Sequence, residues 1–156
     1  MLSLRVAMTT RNPFDGAFER VKRAGKHLAD LRLRLETVSE QLRNAHGAQF
    51  NPVSPHQFEF FVPVSAPVST RIPILTGEIC YNLRGALDYL VYELARFDAS
   101  VLQNGTQFPI CDRKKDFDKT IKTKLKGLNS RHILSIEALQ PFEGCGWTKT
   151  LRVQSG

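Results

Sequence analysis

"LTGEICYNLRGALDYLVYELARF", residues 75–97, carries the strongest helical pattern in the chain. Its apolar side chains fall within about 120° of arc on a helical wheel, which predicts a helix with one face in the core. These side chains are Leu75, Ile79, Leu83, Ala86, Leu87, Leu90, Leu94 and Phe97. Arg84 and Asp88 lie opposite this face, one turn apart, so they are either part of an active site or an ordinary solvated ion pair.

Residues 13–46 form a second predicted helix, with Asn12 as its N-cap and Pro13 in its first turn. Two apolar positions repeat every seven residues over five heptads. The first position holds Phe14, Val21, Leu28, Leu35 and Leu42, and the second holds Ala17, Ala24, Leu31, Val38 and Ala45. Such a helix would be roughly 50 Å long, so we expect it to pack antiparallel to residues 75–97 and against a second copy of itself, giving a homodimer.

The proline-rich stretch between the long helices predicts a β-hairpin at about residues 56–73, with its prolines on edge strands. Two shorter helices follow, one from Arg113 to Lys126 with Asp112 as its cap, and one that begins at Ser130 and stops at Pro141. The inner face of the first one is predicted to hold Phe117, Ile121, Leu125 and Leu128.

The predicted fold is therefore mainly α (α+β), with two long antiparallel helices, an inserted β-hairpin and two shorter C-terminal helices. We expect one domain. The predicted segments are an N-terminal extension (1–12), a single helical domain (13–142) and an irregular tail (143–156).

Composition excludes several classes of protein. The 156 residues carry a formal charge of +7, which favours anionic partners such as non-specific RNA or DNA. No apolar run is long enough to span a bilayer, and the three cysteines and four histidines have no metal-binding spacing. The sequence therefore predicts a cytoplasmic protein with no membrane, metal or cofactor partner.

Two surfaces are candidates for function. Lys115, Lys119, Lys122 and Lys126 fall within about 60° of arc on one helix, which indicates either a solvated face or a contact with nucleic-acid phosphates. Asn82, Tyr89 and Glu93 form a polar edge beside the core face of residues 75–97, where a half-buried site is expected.

Four segments resemble, in sequence and order, a group of uncharacterised bacterial proteins common in actinobacteria. They are "FDGAFERVKRAGKHLADL", "GEICYNLRGALDYLVYELA", "TQFPI" and "KLKGLNSRHILSIEALQPF", and they cover most of residues 13–142. In that group the second helix reads N-L-R-x-A-L-D-H. This motif resembles the R-x4-H motif of the HEPN superfamily, helical proteins that include toxin ribonucleases.

The resemblance implies a phosphate-binding role for Arg84 and a catalytic histidine at position 89, where this chain has Tyr89. Tyrosine is a poor base at neutral pH because its ordinary pKa is about 10. A downstream Asp-Lys-His-Arg segment of the group is also missing, so the chain looks like a truncated or frame-shifted member. We therefore expect a non-catalytic binding or assembly protein, with a degenerate HEPN-like ribonuclease using Arg84, Asp88, Tyr89 and Asn82 as the alternative.

Overall fold

The computed structural model describes residues 12–44, 49–61, 69–100 and 104–155. Within these residues the chain is mainly helical, as predicted. The elements are α1 (Asp15–Asn44), β1 (Gln49–Ser54), β2 (Gln57–Phe61), α2 (Arg71–Ala99), α3 (Lys114–Lys124), α4 (Ser130–Glu137), a 3-10 turn (Pro141–Glu143) and α5 (Gly146–Ser155).

The described residues divide into two compact units. The first unit holds residues up to 24 and from 80 onward, and the second holds residues 25–79. Both long helices therefore contribute residues to each unit.

In the first unit, α1 and α2 run antiparallel in close contact. A methyl group added at Gly16 would lie 3.0 Å from Cδ1 of Tyr89, and one at Gly85 would lie 2.6 Å from Nη1 of Arg20. Position 16 of α1 thus meets position 89 of α2, and position 20 meets position 85. The two helices therefore run in opposite directions, as the two apolar patterns predicted. Glycine at these two positions removes the Cβ atom that would separate the helices.

The core of the first unit forms where α2 meets the C-terminal elements. Its buried members are Val91, Phe108, Phe117, Leu125 and Ile136. The predicted inner face of α3 is confirmed, because Ile121 and Leu128 also pack against this cluster. The prediction for α2 is only partly right, since Phe97 is 73% exposed while Val91 and Ala95 are fully buried.

One extended segment, residues 107–111, lies in this core and has its backbone held from several directions. The N–H of Gln107 donates to the carbonyl of Lys124 at the end of α3 (3.0 Å). The fully buried Gln140 side chain accepts from the N–H of Cys111 (2.9 Å) and donates to the carbonyl of Pro109 (2.9 Å). We call residues 107–111 the clamped segment.

The second unit contains the hairpin and the adjoining parts of the long helices. Strands β1 and β2 pair antiparallel, with Asn51 opposite Glu59 and an irregularity between Pro52 and Ser54. Leu75 of α2 is fully buried, and Nδ1 of His27 lies 3.4 Å from Oε2 of Glu78. The contact between His27 and Glu78 again joins α1 to α2.

The hairpin prediction was right in kind and wrong in position. The strands occupy residues 49–61, with Pro55 and His56 in the turn. At the far end of the predicted hairpin, residues 71–73 belong to the first turn of α2, while residues 62–68 lie outside the described part of the chain. Pro73 fits there because the first N–H groups of a helix have no partner within it, so proline removes no helical hydrogen bond.

The C-terminal predictions also need correction. Residues 143–156 are not an irregular tail, because α5 covers Gly146–Ser155 and buries Leu151. Asn129, one residue before the predicted cap, accepts from the N–H of His132 and caps α4. Asp112 does not cap α3 but forms an ion pair with Arg152 of α5 (2.6 Å).

Gln140→Leu should lower the free energy of unfolding by about 2–4 kcal/mol, because it leaves the N–H of Cys111 and the carbonyl of Pro109 without partners in the core. Urea unfolding followed by far-UV circular dichroism measures this loss. Gln154→Leu, the same change at an exposed position of α5, is the control and should have little effect. Equal losses in the two variants would contradict the assigned role of Gln140.

Candidate functional site

Arg84 and Asp88 form the predicted ion pair, but it is not a solvated surface pair. Nη2 of Arg84 lies 3.4 Å from Oδ1 of Asp88, and the side chains are only 19% and 31% exposed. Both belong to the face of α2 that also carries the buried Val91 and Ala95. The face assigned to solvent from the sequence is therefore turned towards the C-terminal elements.

Both side chains of this pair bind the backbone of one residue in the clamped segment. Arg84 donates from Nη2 to the carbonyl of Phe108 (2.6 Å), and the N–H of Phe108 donates to Oδ1 of Asp88 (2.9 Å). Phe108 itself is fully buried in the core. Arg84 and Asp88 thus act as a structural clamp, and their polar groups are directed at the protein's own main chain.

Tyr89 and Asn82, the other two candidate residues on α2, do not join this clamp. The ring of Tyr89 packs against Gly16 of α1 and lies 4.8 Å from the guanidinium carbon of Arg20. Asn82 is buried, at 5% exposure. The four candidates for a catalytic site are therefore divided among different surroundings.

Tyr89 also lines an open pocket of about 510 Å³. The other lining residues are Asn12, Pro13, Asp15, Gly16, Glu93 and Arg96. Glu93, from the predicted polar edge, is half-buried here and forms a two-oxygen ion pair with Arg96 at 3.1 and 3.0 Å. This pairing leaves the pocket with polar walls whose largest charges are already partly neutralised.

A second cluster, which the sequence analysis missed, joins the end of α2 to the start of α4. The carboxylate of Asp98 accepts from the N–H and the side-chain amide of Asn129, both at 2.8 Å, and lies 2.7 Å from Nδ1 of His132. Burial opposes ionisation of Asp98, but the hydrogen bonds from Asn129 and His132 outweigh it and lower the pKa of this carboxyl. Asp98 is 31 residues from Asn129 and 34 residues from His132 in the sequence, so spacing gave no signal of this contact.

The four lysines of the predicted face are exposed, but α3 ends at Lys124, so Lys126 lies in the turn that follows it and not on the helix. Lys115, Lys119, Lys122 and Lys126 are all exposed, and none of them has an ion-pair partner among the residues that the structure describes. Their neighbour Lys114 differs, because it pairs with Asp118 at 3.1 Å and with Glu137. The hydrogen bond to Glu137 raises the pKa of Lys114.

Other chemical groups offer little. Cys80, Cys111 and Cys145 are free thiols, and burial raises the pKa of Cys111. In the described part of the chain, no group of three or more histidine, cysteine, aspartate or glutamate side chains is placed to hold a metal ion. None of the described helices has the length and apolar character needed to cross a membrane.

Comparison with known proteins gave no match. No family model matches the chain, and no match was found among curated proteins or solved structures. The resemblance to the actinobacterial group and to HEPN proteins therefore stays a prediction from the sequence.

The clamp makes a quantitative prediction. Asp88→Ala should lower the free energy of unfolding by about 1–3 kcal/mol, because the N–H of Phe108 loses its buried acceptor. Arg84→Ala and the double variant complete a thermodynamic cycle, measured by urea unfolding. Since both side chains bind the same residue, the combined loss should differ from the sum of the single losses by at least about 0.5 kcal/mol.

Asp30→Ala is the matched control, because it breaks a more exposed ion pair four residues apart, with Arg34 at 2.9 Å. This control should lose less stability than Asp88→Ala. Strict additivity of Arg84→Ala and Asp88→Ala would argue against a shared clamp.

Proposed function

We propose that this chain is a non-catalytic assembly protein that self-associates through α1. The observation that carries the proposal is a row of exposed leucines at seven-residue spacing on this helix. Leu28, Leu35 and Leu42 are 40%, 48% and 46% exposed. We call these three residues the outer row.

The outer row belongs to the first of the two predicted heptad positions. The two positions differ in their exposure to solvent. The second position turns inward, with Ala24 at 3% exposure and Leu31 and Val38 half-buried. Among the residues that the structure describes, the apolar surface of α1 is therefore only partly covered. Covering the rest of each leucine would contribute on the order of 1 kcal/mol.

The seven-residue spacing favours another helix as the partner. An apolar row that repeats every seven residues stays in line along a second helix when the two helices supercoil. A second copy of this chain supplies such a helix with the same spacing, and two identical rows can pair about a two-fold axis. The proposed assembly is thus a homodimer.

Replacing Leu28 and Leu35 together by glutamate should convert the dimer to a monomer, because four carboxylates would meet in the dimer interface. Size-exclusion chromatography with light scattering measures the mass, and far-UV circular dichroism checks that α1 stays helical. Leu33→Glu is the matched control. Leu33 is 63% exposed and lies about 140–180° around the helix from the outer row, so this change should leave the mass unchanged.

A wild-type chain that is strictly monomeric at high micromolar concentration would remove the proposal. A dimer that survives both glutamates would place the interface elsewhere.

The lysine face supports a second candidate function, contact with nucleic-acid phosphate. Three exposed ammonium groups lie on one side of α3 and a fourth lies in the turn after it, all without carboxylate partners among the described residues. Such a face binds phosphates irrespective of base sequence and loses affinity steeply as salt rises. This contact is compatible with the dimer, since it uses α3 rather than the outer row.

Lys119→Ala combined with Lys122→Ala should weaken binding to duplex DNA and reduce the slope of log affinity against log salt by about 0.9 for each phosphate that is no longer neutralised. Fluorescence anisotropy at several salt concentrations gives the slope. Lys22→Ala combined with Lys26→Ala, two exposed lysines of α1, is the control with the same change in charge. Equal effects of the two pairs would show that only net charge matters.

The ribonuclease alternative receives less support. Arg84 would have to bind a substrate phosphate, but its Nη2 atom donates to the carbonyl of Phe108. The tyrosine that replaces the motif histidine packs on α1 instead of beside Arg84. A cytoplasmic location remains part of the proposal, and the three free cysteines are consistent with a reducing compartment.

A further inference from the structure

Arg20 of α1 lies across α2 between two tyrosine rings. Its guanidinium carbon is 4.8 Å from the ring centre of Tyr89 and 5.7 Å from that of Tyr81. Tyr81, Gly85 and Tyr89 follow one another at intervals of four residues, so they lie on the same side of α2. We call Tyr81, Arg20 and Tyr89 the tyrosine–arginine strip.

Gly85 makes the strip possible. A methyl group at this position would lie 2.6 Å from Nη1 and 3.0 Å from Cζ of Arg20, too close for either atom. The absence of a side chain therefore lets the guanidinium rest on the backbone of α2. Because it is held there by two rings, the guanidinium has less conformational freedom to lose on binding a ligand than an extended surface arginine.

The strip is accessible and its charge is not neutralised. Tyr81 is 68% exposed and Tyr89 is 44% exposed. Arg20 has no hydrogen bond or ion pair with the residues that the structure describes. The nearest acidic residue along α1, Glu19, pairs with Lys22 at 3.6 Å. An arginine carries five N–H donors, so the strip presents unused donors beside exposed ring surface.

We propose that the tyrosine–arginine strip binds single-stranded nucleic acid. The planar guanidinium fork of Arg20 matches two oxygens of a phosphate, and the ring of Tyr81 offers a face on which a base stacks. The two tyrosines are separated by about 12 Å along the helix axis, which leaves the phosphate room to reach Arg20 between them. Arg23, exposed one turn further along α1, adds positive charge on the same side.

A single strand fits these features better than a duplex or a protein. Bases in a duplex are already stacked on one another and cannot cover a tyrosine ring without unpairing. Tyrosine and arginine are also common at protein interfaces. However, a net charge of +7 and an unneutralised guanidinium favour a polyanion. The proposal goes beyond the assembly function, since it uses neither the outer row nor the lysine face.

Fluorescence anisotropy with a fluorescein-labelled oligothymidylate of roughly 12 nucleotides, a length within the range of one binding module, tests the proposal. A DNA hairpin of the same total charge serves as the duplex probe. Wild-type protein should bind the single strand more tightly than the hairpin. Tyr81→Ala and Arg20→Lys should each weaken single-strand binding at least about fivefold, because one loses the stacking face and the other the planar fork.

Gly85→Ala is the most informative variant. It keeps both rings and every charge but displaces Arg20 from its place, so it should weaken single-strand binding as much as Arg20→Lys. Circular dichroism should show that the fold is retained.

Two matched controls separate the strip from general charge and exposed aromatic surface. Lys22→Ala removes a charge two residues from Arg20, and Phe97→Ala removes an aromatic ring that is 73% exposed on the same helix as Tyr81. Each control should change the affinity by less than about twofold. Losses as large as those of the strip variants would overturn the proposal.

Three further results would also overturn it: undetectable binding of the single strand, a preference for the hairpin, or unchanged binding in Gly85→Ala. Tight binding of an acidic peptide that depends on Arg20 and Tyr81, without binding of the oligonucleotide, would replace the nucleic acid by a protein partner. The doubly substituted Lys119→Ala, Lys122→Ala protein should keep its preference for the single strand, so failure of the lysine face and failure of the strip are distinguishable.

Discussion

The first unit depends on how the backbone of the clamped segment is satisfied. An extended chain inside a core normally pairs with a neighbouring strand, but residues 107–111 have no strand partner in the described part of the chain. Side chains take that role. Arg84 and Asp88 bind the two polar groups of Phe108, and Gln140 binds Pro109 and Cys111 from the other side. A buried segment without these partners would cost about 1–3 kcal/mol for each unpaired group.

This constraint explains the central position of α2 in the first unit. One side of the helix packs on α1, where glycines at positions 16 and 85 allow close approach. Another side holds the clamped segment and carries the buried Val91 and Ala95. The side that packs on α1 also carries Tyr81 and Tyr89, which stay 68% and 44% exposed beside it. An ion pair that stabilises the fold and a strip that can bind a ligand thus occupy one helix without competing.

Sequence patterns predicted the long helices well because helical periodicity is local, and the inner face of α3 followed for the same reason. The Arg84–Asp88 pair was predicted, yet its burial was not, because the groups that it binds lie 20 or more residues away in the chain. Val91 and Ala95 follow Arg84 and Asp88 at intervals of three and four residues, so all four lie on one side of α2. This apolar pair could have indicated from the sequence that α2 has a second buried face. The hairpin was displaced because turn residues occur at both 55–56 and 65–67. The helix α5 was missed because its 10 residues carry few large apolar side chains, namely Trp147, Leu151 and Val153.

Phe108 lies outside any helix or strand, although its N–H is bound by a carboxylate within a core. Amide hydrogen exchange normally identifies helices and sheets as the slowest regions. Here an irregular residue should exchange on the timescale of opening of the whole C-terminal core, while the amides at the exposed end of α5 exchange much sooner. Regular secondary structure is therefore a poor guide to where this molecule is most rigid.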